Sequence, residues 1–266
     1  MTVPKAEYTG EYLLNESFDD TPVGSLPDDG HWGRDDGITD KGANVRDKTT
    51  GEELHYFGVA QSLEDENNRA LRIFKKGGVL VNGDGVCTTG QYRQIVYGHF
   101  EGPTEGNLII EYKFYNPSDN IIPNSNPAVD TMSPWLTNAN SNTIGTQFIR
   151  TSHLYGSDTT YKIGTGGFTA NYGQWYEAAY DATVFPTAGK GSKTDYYVYD
   201  QTTNTTQLAK EVGTQKNGGT YIQNIMFGFA GEAHKAGELW YDDVKVFADP
   251  TSVYLNNIVP QTFGAT

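Results

Sequence analysis

The chain has one cysteine, Cys87, in 266 residues, so no disulfide can form within it. That suits a cytosolic protein, and equally an exported one from an organism that avoids disulfides. Basic residues are scarce: 19 Lys and Arg stand against 33 Asp and Glu, a formal net charge of −14. Such a field repels polyanions, which excludes nucleic acid and acidic membrane surfaces as partners. No apolar run reaches membrane-spanning length, so membrane insertion is not expected, and the opening MTVPKAEYTGEY lacks the regions of a signal peptide. The histidines, His31, His55, His99, His153 and His234, show no HxH or HExxH spacing, which argues against zinc. There is no G-x-S-x-G elbow and no Walker loop, and the glycine-rich GTGGFTANYG opens no helix. Cys87, in GVCTTG, reads as a small structural residue.

Aromatic residues are plentiful, with 18 Tyr, 12 Phe and 4 Trp, and these suit pleated surfaces. Strand-like segments recur at Tyr12–Phe18, Arg69–Phe74, Gly78–Val81, Gln91–Phe100, Leu108–Tyr115, Thr146–Leu154, Gln174–Ala182, Lys193–Tyr199, Gln207–Val212, Tyr221–Phe229 and Leu239–Phe247. Turn chemistry separates them, as in Pro27-Asp28-Asp29-Gly30, Asn82-Gly83-Asp84-Gly85 and Asn217-Gly218-Gly219. Leu108, Ile110, Tyr112 and Phe114 alternate with Ile109, Glu111, Lys113 and Tyr115, a strand with one wet face. The pattern predicts an all-β fold, a jelly-roll sandwich of two packed antiparallel sheets, with residues 1–266 as one domain. Two polar stretches, 30–53 and 116–142, are expected to be long loops, and loops of that length are often functional.

Paired carboxylates raise a specific question. In GELWYDDVKVF, Trp240, Val244 and Val246 mark one side of a strand as the core side, and one of Asp242 and Asp243 must share it. In EYLLNESFDD, Glu16 shares a face with Tyr12, Leu14 and Phe18. If the first and last strands meet, a hard cation such as calcium could satisfy both carboxylates, with Asp19, Asp20, Asn15 and Asp243 on the flanks. A strand ending early, an Arg or a Tyr hydroxyl would serve as well, and a bulge would reverse every face.

NESFDDTPVGSLPDDGHW near the start and GELWYDDVKVF near the end resemble the concanavalin A-like jelly-roll superfamily. More narrowly, they are similar to laminin-G-like and carbohydrate-binding domains of secreted bacterial proteins. NNRALRIFKK resembles an early strand of such domains, and GQWYEAAYDATVFPTAGKGSKTDYYVYD their tyrosine-rich hairpin. The resemblance spans most of the chain. It implies a structural calcium between the terminal strands, held by Glu16 and one of Asp242 or Asp243. It also implies an extracellular or cell-surface location and further domains in a larger parent chain.

Two kinds of site are compatible with that fold. For sugar binding, where rings stack on pyranose faces, the candidates are loop aromatics: Trp32, Tyr56 and Trp135, with Asn138, Asn140 and Asn142 beside Trp135 as hydrogen-bonding groups. Each could equally be a packing residue. For catalysis, no E-[ILV]-D-x-x-E signature of retaining glucanases occurs, and Glu232 and Glu238 read as an ordinary charged loop. A polysaccharide lyase needs a Tyr or His base beside a group that neutralises a uronate carboxylate. In QYRQIVYGH, Gln91, Arg93, Tyr97 and His99 share a face, and FIRTSHLYG puts His153 and Tyr155 together. Neither matches the alginate-lyase patterns QIH and YFKxGxYxQ. The expected function is non-catalytic binding of a polysaccharide or glycan. The alternatives are a lyase acting on a uronic-acid polymer and an adhesion module that binds protein.

Overall fold

The computed structural model describes residues 10–35, 44–47, 49–63, 65–76, 94–103, 106–117, 135–137, 147–150, 153–155, 157, 159–163, 168–184, 193–200, 205–212, 222–229 and 237–248. Among them there are seventeen strands and no helix. In chain order they begin with β1 (Leu14–Glu16), β2 (Trp32–Asp35), β3 (Asn44–Arg46), β4 (Glu53–Gln61), β5 (Arg69–Lys75) and β6 (Gln94–His99). Next come β7 (Gly106–Tyr115), β8 (Trp135–Thr137), β9 (Gln147–Arg150), β10 (His153–Tyr155), β11 (Thr160–Ile163) and β12 (Thr169–Asn171). The series closes with β13 (Trp175–Val184), β14 (Lys193–Asp200), β15 (Thr205–Val212), β16 (Asn224–Phe229) and β17 (Gly237–Ala248).

A nine-stranded sheet runs β15-β14-β13-β7-β17-β5-β4-β3, with β1 added alongside β17. A five-stranded sheet runs β2-β6-β16-β8-β9, and a small one β10-β11-β12. One buried cluster draws on all three: Phe57, Leu71, Ile110, Tyr112 and Tyr241 from the large sheet, Val96, Ile225 and Phe227 from the five-stranded one, and Tyr161 and Ile163 from the smallest. This is the expected all-β sandwich, with its core between facing sheets. Tyrosines fill much of it, and the hydroxyls of Tyr112 and Tyr196 meet at 2.8 Å, so two buried polar atoms satisfy each other.

The strongest alternations in the sequence became the central strands β7, β13 and β17. Others were concealed. β4 lies inside a segment with no predicted strand, because seven consecutive residues from Leu54 to Ala60 are buried. A strand covered on both faces shows no period of two. The expected loop 30–53 contains β2 and β3, and the expected loop 116–142 contains β8. The segment Thr146–Leu154 is two strands, β9 and β10, which belong to different sheets. The wet face expected on β7 is drier than its pattern suggests, since Ile109, Glu111 and Tyr115 are buried and only Lys113 is partly exposed. Gly78–Val81 lies outside the described residues.

The ends of the described chain do meet. β1 pairs antiparallel with β17, with Leu14 opposite Val246 and Glu16 opposite Val244.

Candidate functional site

Asp242 and Asp243 sit at a break in β17. Leu239 and Tyr241 join the main core, and so do Val244 and Val246, whereas Trp240 packs in a separate cluster on the outer face. Strict alternation cannot produce that sequence of faces. The pairing with β7 shifts between Asp242 and Lys245, and Asp243 takes a left-handed φ of 49°. The extra residue puts Trp240 and Asp242 on the outer face, which corrects the expectation that Trp240 marks the core side.

Asp242 is nevertheless only 5% exposed. Asn68 donates to its Oδ2 at 3.2 Å, and the backbone N–H of Asp243 to its Oδ1 at 2.7 Å. Burial pushes its carboxyl up to about 6; the Asn68 hydrogen bond opposes that rise and the Asp243 charge reinforces it. Asp243 is paired with Lys113, Nζ to Oδ2 at 2.6 Å. Glu16 accepts the backbone N–H of Phe18, a residue held at a φ of 63°, and Asp19 accepts the N–H of Arg69 at 3.0 Å. Burial raises the Glu16 carboxyl, while the Phe18 hydrogen bond lowers it.

All four candidate calcium ligands, Glu16, Asp19, Asp242 and Asp243, thus have a protein donor. Among the described residues no group of three or more His, Cys, Asp or Glu side chains could hold a metal ion. A cation does meet this acidic end, but it is the Lys113 ammonium. Each of these carboxylates is thereby held by a group of the chain itself. Chelation is accordingly expected to leave the melting midpoint within about 1 °C, a shift worth only a few tenths of a kcal/mol. A fall of several degrees in EDTA, reversed by added calcium, would restore the metal as the tie between the end strands.

The outer face of the five-stranded sheet carries a different group. Val96, Ile225 and Phe227 point to the core, so Ile95, Tyr97 and Met226 cluster on the opposite side. His99 follows Tyr97 by two positions and lies opposite Asn224 on β16. Its Nδ1–H donates to Asn224 Oδ1 at 3.0 Å, which fixes the ring and leaves the lone pair on Nε2. His31 Nδ1 donates to the His99 carbonyl at 2.8 Å, and the His99 N–H donates to the His31 carbonyl at 2.8 Å. Tyr97 lies against Gly33 of β2, where a Cβ would come within 2.2 Å of the tyrosine oxygen. A glycine is needed there for the ring to occupy that place. Asn224 was missed in the sequence. Its signal was present in YIQNIMFGF, where Asn224 and Met226 alternate with Ile225 and Phe227.

The other candidates are dispersed. Trp32 is in β2, not a loop, 9% exposed, with its ring edge-on to Phe18 at 5.1 Å and stacked with Phe227 at 6.4 Å. Tyr56 is in β4, buried, and its hydroxyl donates to the Val59 carbonyl at 2.7 Å. Both are engaged in packing. Trp135 is in β8, and nothing beyond its backbone lies among the described residues; Asn138 and Arg93 fall outside them. His153 and Tyr155 are on β10, in the small sheet, and so do not line the sheet that carries Tyr97 and His99.

Across the outer face of the nine-stranded sheet, Arg72, Trp240, Tyr115 and Trp175 stand in register on four adjacent strands. Arg72 is a clamp. Its Nη1 lies 2.8 Å from Glu53 Oε2 and its Nε 2.8 Å from Glu238 Oε1. Its guanidinium carbon sits 5.0 Å from the centre of the Tyr56 ring and 5.1 Å from that of Phe74. The Trp240 indole N–H donates to Glu238 Oε1 at 2.8 Å. The charge is satisfied within the protein, which gives this group a structural role.

No family model matches the chain, and no curated protein matches it. Solved structures do. A PL-14 alginate lyase from Aplysia kurodai superimposes with a TM-score of 0.52 at 11% identity, covering 90% of this chain and 100% of that one. An alginate lyase in complex with an alginate tetrasaccharide gives 0.51 at 11% identity, covering 89% and 97%. An endo-1,3-β-glucanase from Streptomyces sioyaensis gives 0.45 at 14% identity, covering 92% and 98%. The chain therefore shares the jelly-roll sandwich fold of the two lyases. At these identities the likeness is one of fold alone.

Proposed function

We propose that the chain binds a polysaccharide on the outer face of the five-stranded sheet, with Tyr97, His99 and Asn224 as the polar floor of the site. The observation that carries this is the His99–Asn224 pair beside Tyr97: a half-buried imidazole whose position the sheet fixes, resting on Asn224 and Tyr97, which are 1% and 8% exposed. Planar polar groups of this kind pair with sugar hydroxyls. The proteins of similar fold named as acting on alginate support a polymeric sugar, including an acidic one, as ligand. The reading includes an extracellular or cell-surface location within a larger parent chain, the setting in which such a module meets its polymer.

A glycan array followed by affinity electrophoresis tests it. Tyr97→Ala and Asn224→Ala are each expected to weaken binding about tenfold or more, as for a buried anchor of an interface. Binding by both variants equal to wild type would place the site elsewhere, and silence across uronate and neutral glycans would reject the reading.

The His99–Asn224 bond also favours a second reading, β-elimination. With Nδ1–H tied to Asn224, Nε2 is the basic nitrogen and can take the proton from the carbon beside a uronate carboxylate. The electron pair forms the ring double bond, the bond to the neighbouring sugar oxygen breaks, and that oxygen takes a proton from the Tyr97 hydroxyl. Unsaturated uronate ends absorb in the ultraviolet, so incubation with uronic-acid polymers separates catalysis from binding. Catalysis predicts rising absorbance that His99→Ala abolishes; binding alone predicts retention on the array with no absorbance change.

A further inference from the structure

We propose that the end of the interlayer space bounded by Arg34, His55 and Lys75 is a binding site for a small monovalent anion of the chloride type. His55 and Lys75 are cross-strand partners on β4 and β5. By alternation they share the inward face with Phe57 and Ile73, and they are 0% and 1% exposed. Arg34 is two residues from the core ring Trp32 on β2, so it too faces inward, across from the pair. Its Nη1 is buried and has no hydrogen-bond partner.

Three basic side chains from both layers of an acidic protein therefore converge on one end of the sandwich. A buried guanidinium N–H without an acceptor is costly. Burial first, then the Arg34 and Lys75 charges, hold the imidazole down at about 3, so it is neutral at physiological pH. A neutral ring still has an N–H to donate. A monoanion would give Arg34 Nη1 its acceptor, screen Arg34 from Lys75, and bridge strands of the two sheets. With His55 and Lys75 this deeply covered, only a small ion fits; a uronate of a long polymer does not reach them.

The test is thermal unfolding of the whole chain in sodium chloride against sodium gluconate at matched ionic strength. Chloride at a few times its dissociation constant is expected to raise the midpoint by about 2–4 °C, and the midpoint should keep rising with the logarithm of its concentration. Arg34→Gln should remove that difference. No chloride-specific rise in wild type overturns the proposal, because the acceptor then comes from the chain itself. A rise that persists in Arg34→Gln overturns the assignment to this cluster. If Arg34→Gln does not fold, crystals of the wild type grown in bromide decide: an anomalous peak beside Arg34 supports the site, and its absence overturns it.

Discussion

Arg72→Met is expected to lower unfolding stability by about 3 kcal/mol at pH 7. The Arg72 side chain is 18% exposed and holds Glu53 and Glu238, which come from different strands of the nine-stranded sheet. Removing one member of a largely buried ion group leaves uncompensated charge, which costs about 3–5 kcal/mol. The lower end applies here, because both carboxylates retain some solvent. Methionine keeps much of the volume between Tyr56, Phe74 and Trp240, so the loss reports charge more than packing. Two acidic groups left without their shared cation then repel. Arg72→Met with Glu238→Gln should therefore be more stable than Arg72→Met alone. Urea unfolding of the two variants checks this. A deficit under 1 kcal/mol would mean that the clamp contributes no more than an exposed ion pair.

Asp242→Asn should act in the opposite direction. The Asp242 carboxyl moves from an ordinary 3.8 to about 6 on folding, mainly through burial. The folded state then holds a proton that the unfolded chain has released, across the interval between those values. Above about pH 6 both states are ionised and the folded protein bears the full cost, roughly 3 kcal/mol. As pH falls through 6 toward 3.8 that cost is relieved, so the wild type gains stability on acidification. Asparagine carries no charge, keeps an acceptor for the Asp243 N–H, and can pair with Asn68 after an amide rotation. The variant should exceed wild type by about 2–3 kcal/mol at pH 8, with the gap closing by pH 4. A gap that is constant with pH would show that Asp242 is ionised throughout and that burial does not govern it.

The candidate site was only partly legible in the sequence. Tyr97 and His99 could be placed on one face of β6 because the strand alternates cleanly. Asn224, which orients His99, lies 125 positions away, and only the sheet order brings β16 beside β6. The same limit applies to Arg72, whose partners Glu53 and Glu238 flank it on two other strands. It also explains the aromatic candidates. Trp32 looked like a loop residue because its surroundings are polar and glycine-rich, but it belongs to a four-residue strand whose inward position fills the core.

By itself the sequence determined the sandwich, and its family resemblance implied that the end strands meet. Alternation in β7, β13 and β17 is written locally, residue by residue, and burying one face of each strand leaves few ways to stack them. Only the tertiary structure decided which carboxylates face where and what answers them. A single left-handed residue at Asp243 reverses the faces of β17, and Lys113 comes from β7 and Asn68 from the turn before β5, whose positions depend on the whole sheet. Side-chain direction in a strand is a running parity. One bulge changes it for every residue that follows, and no local pattern in the sequence marks where that bulge will form.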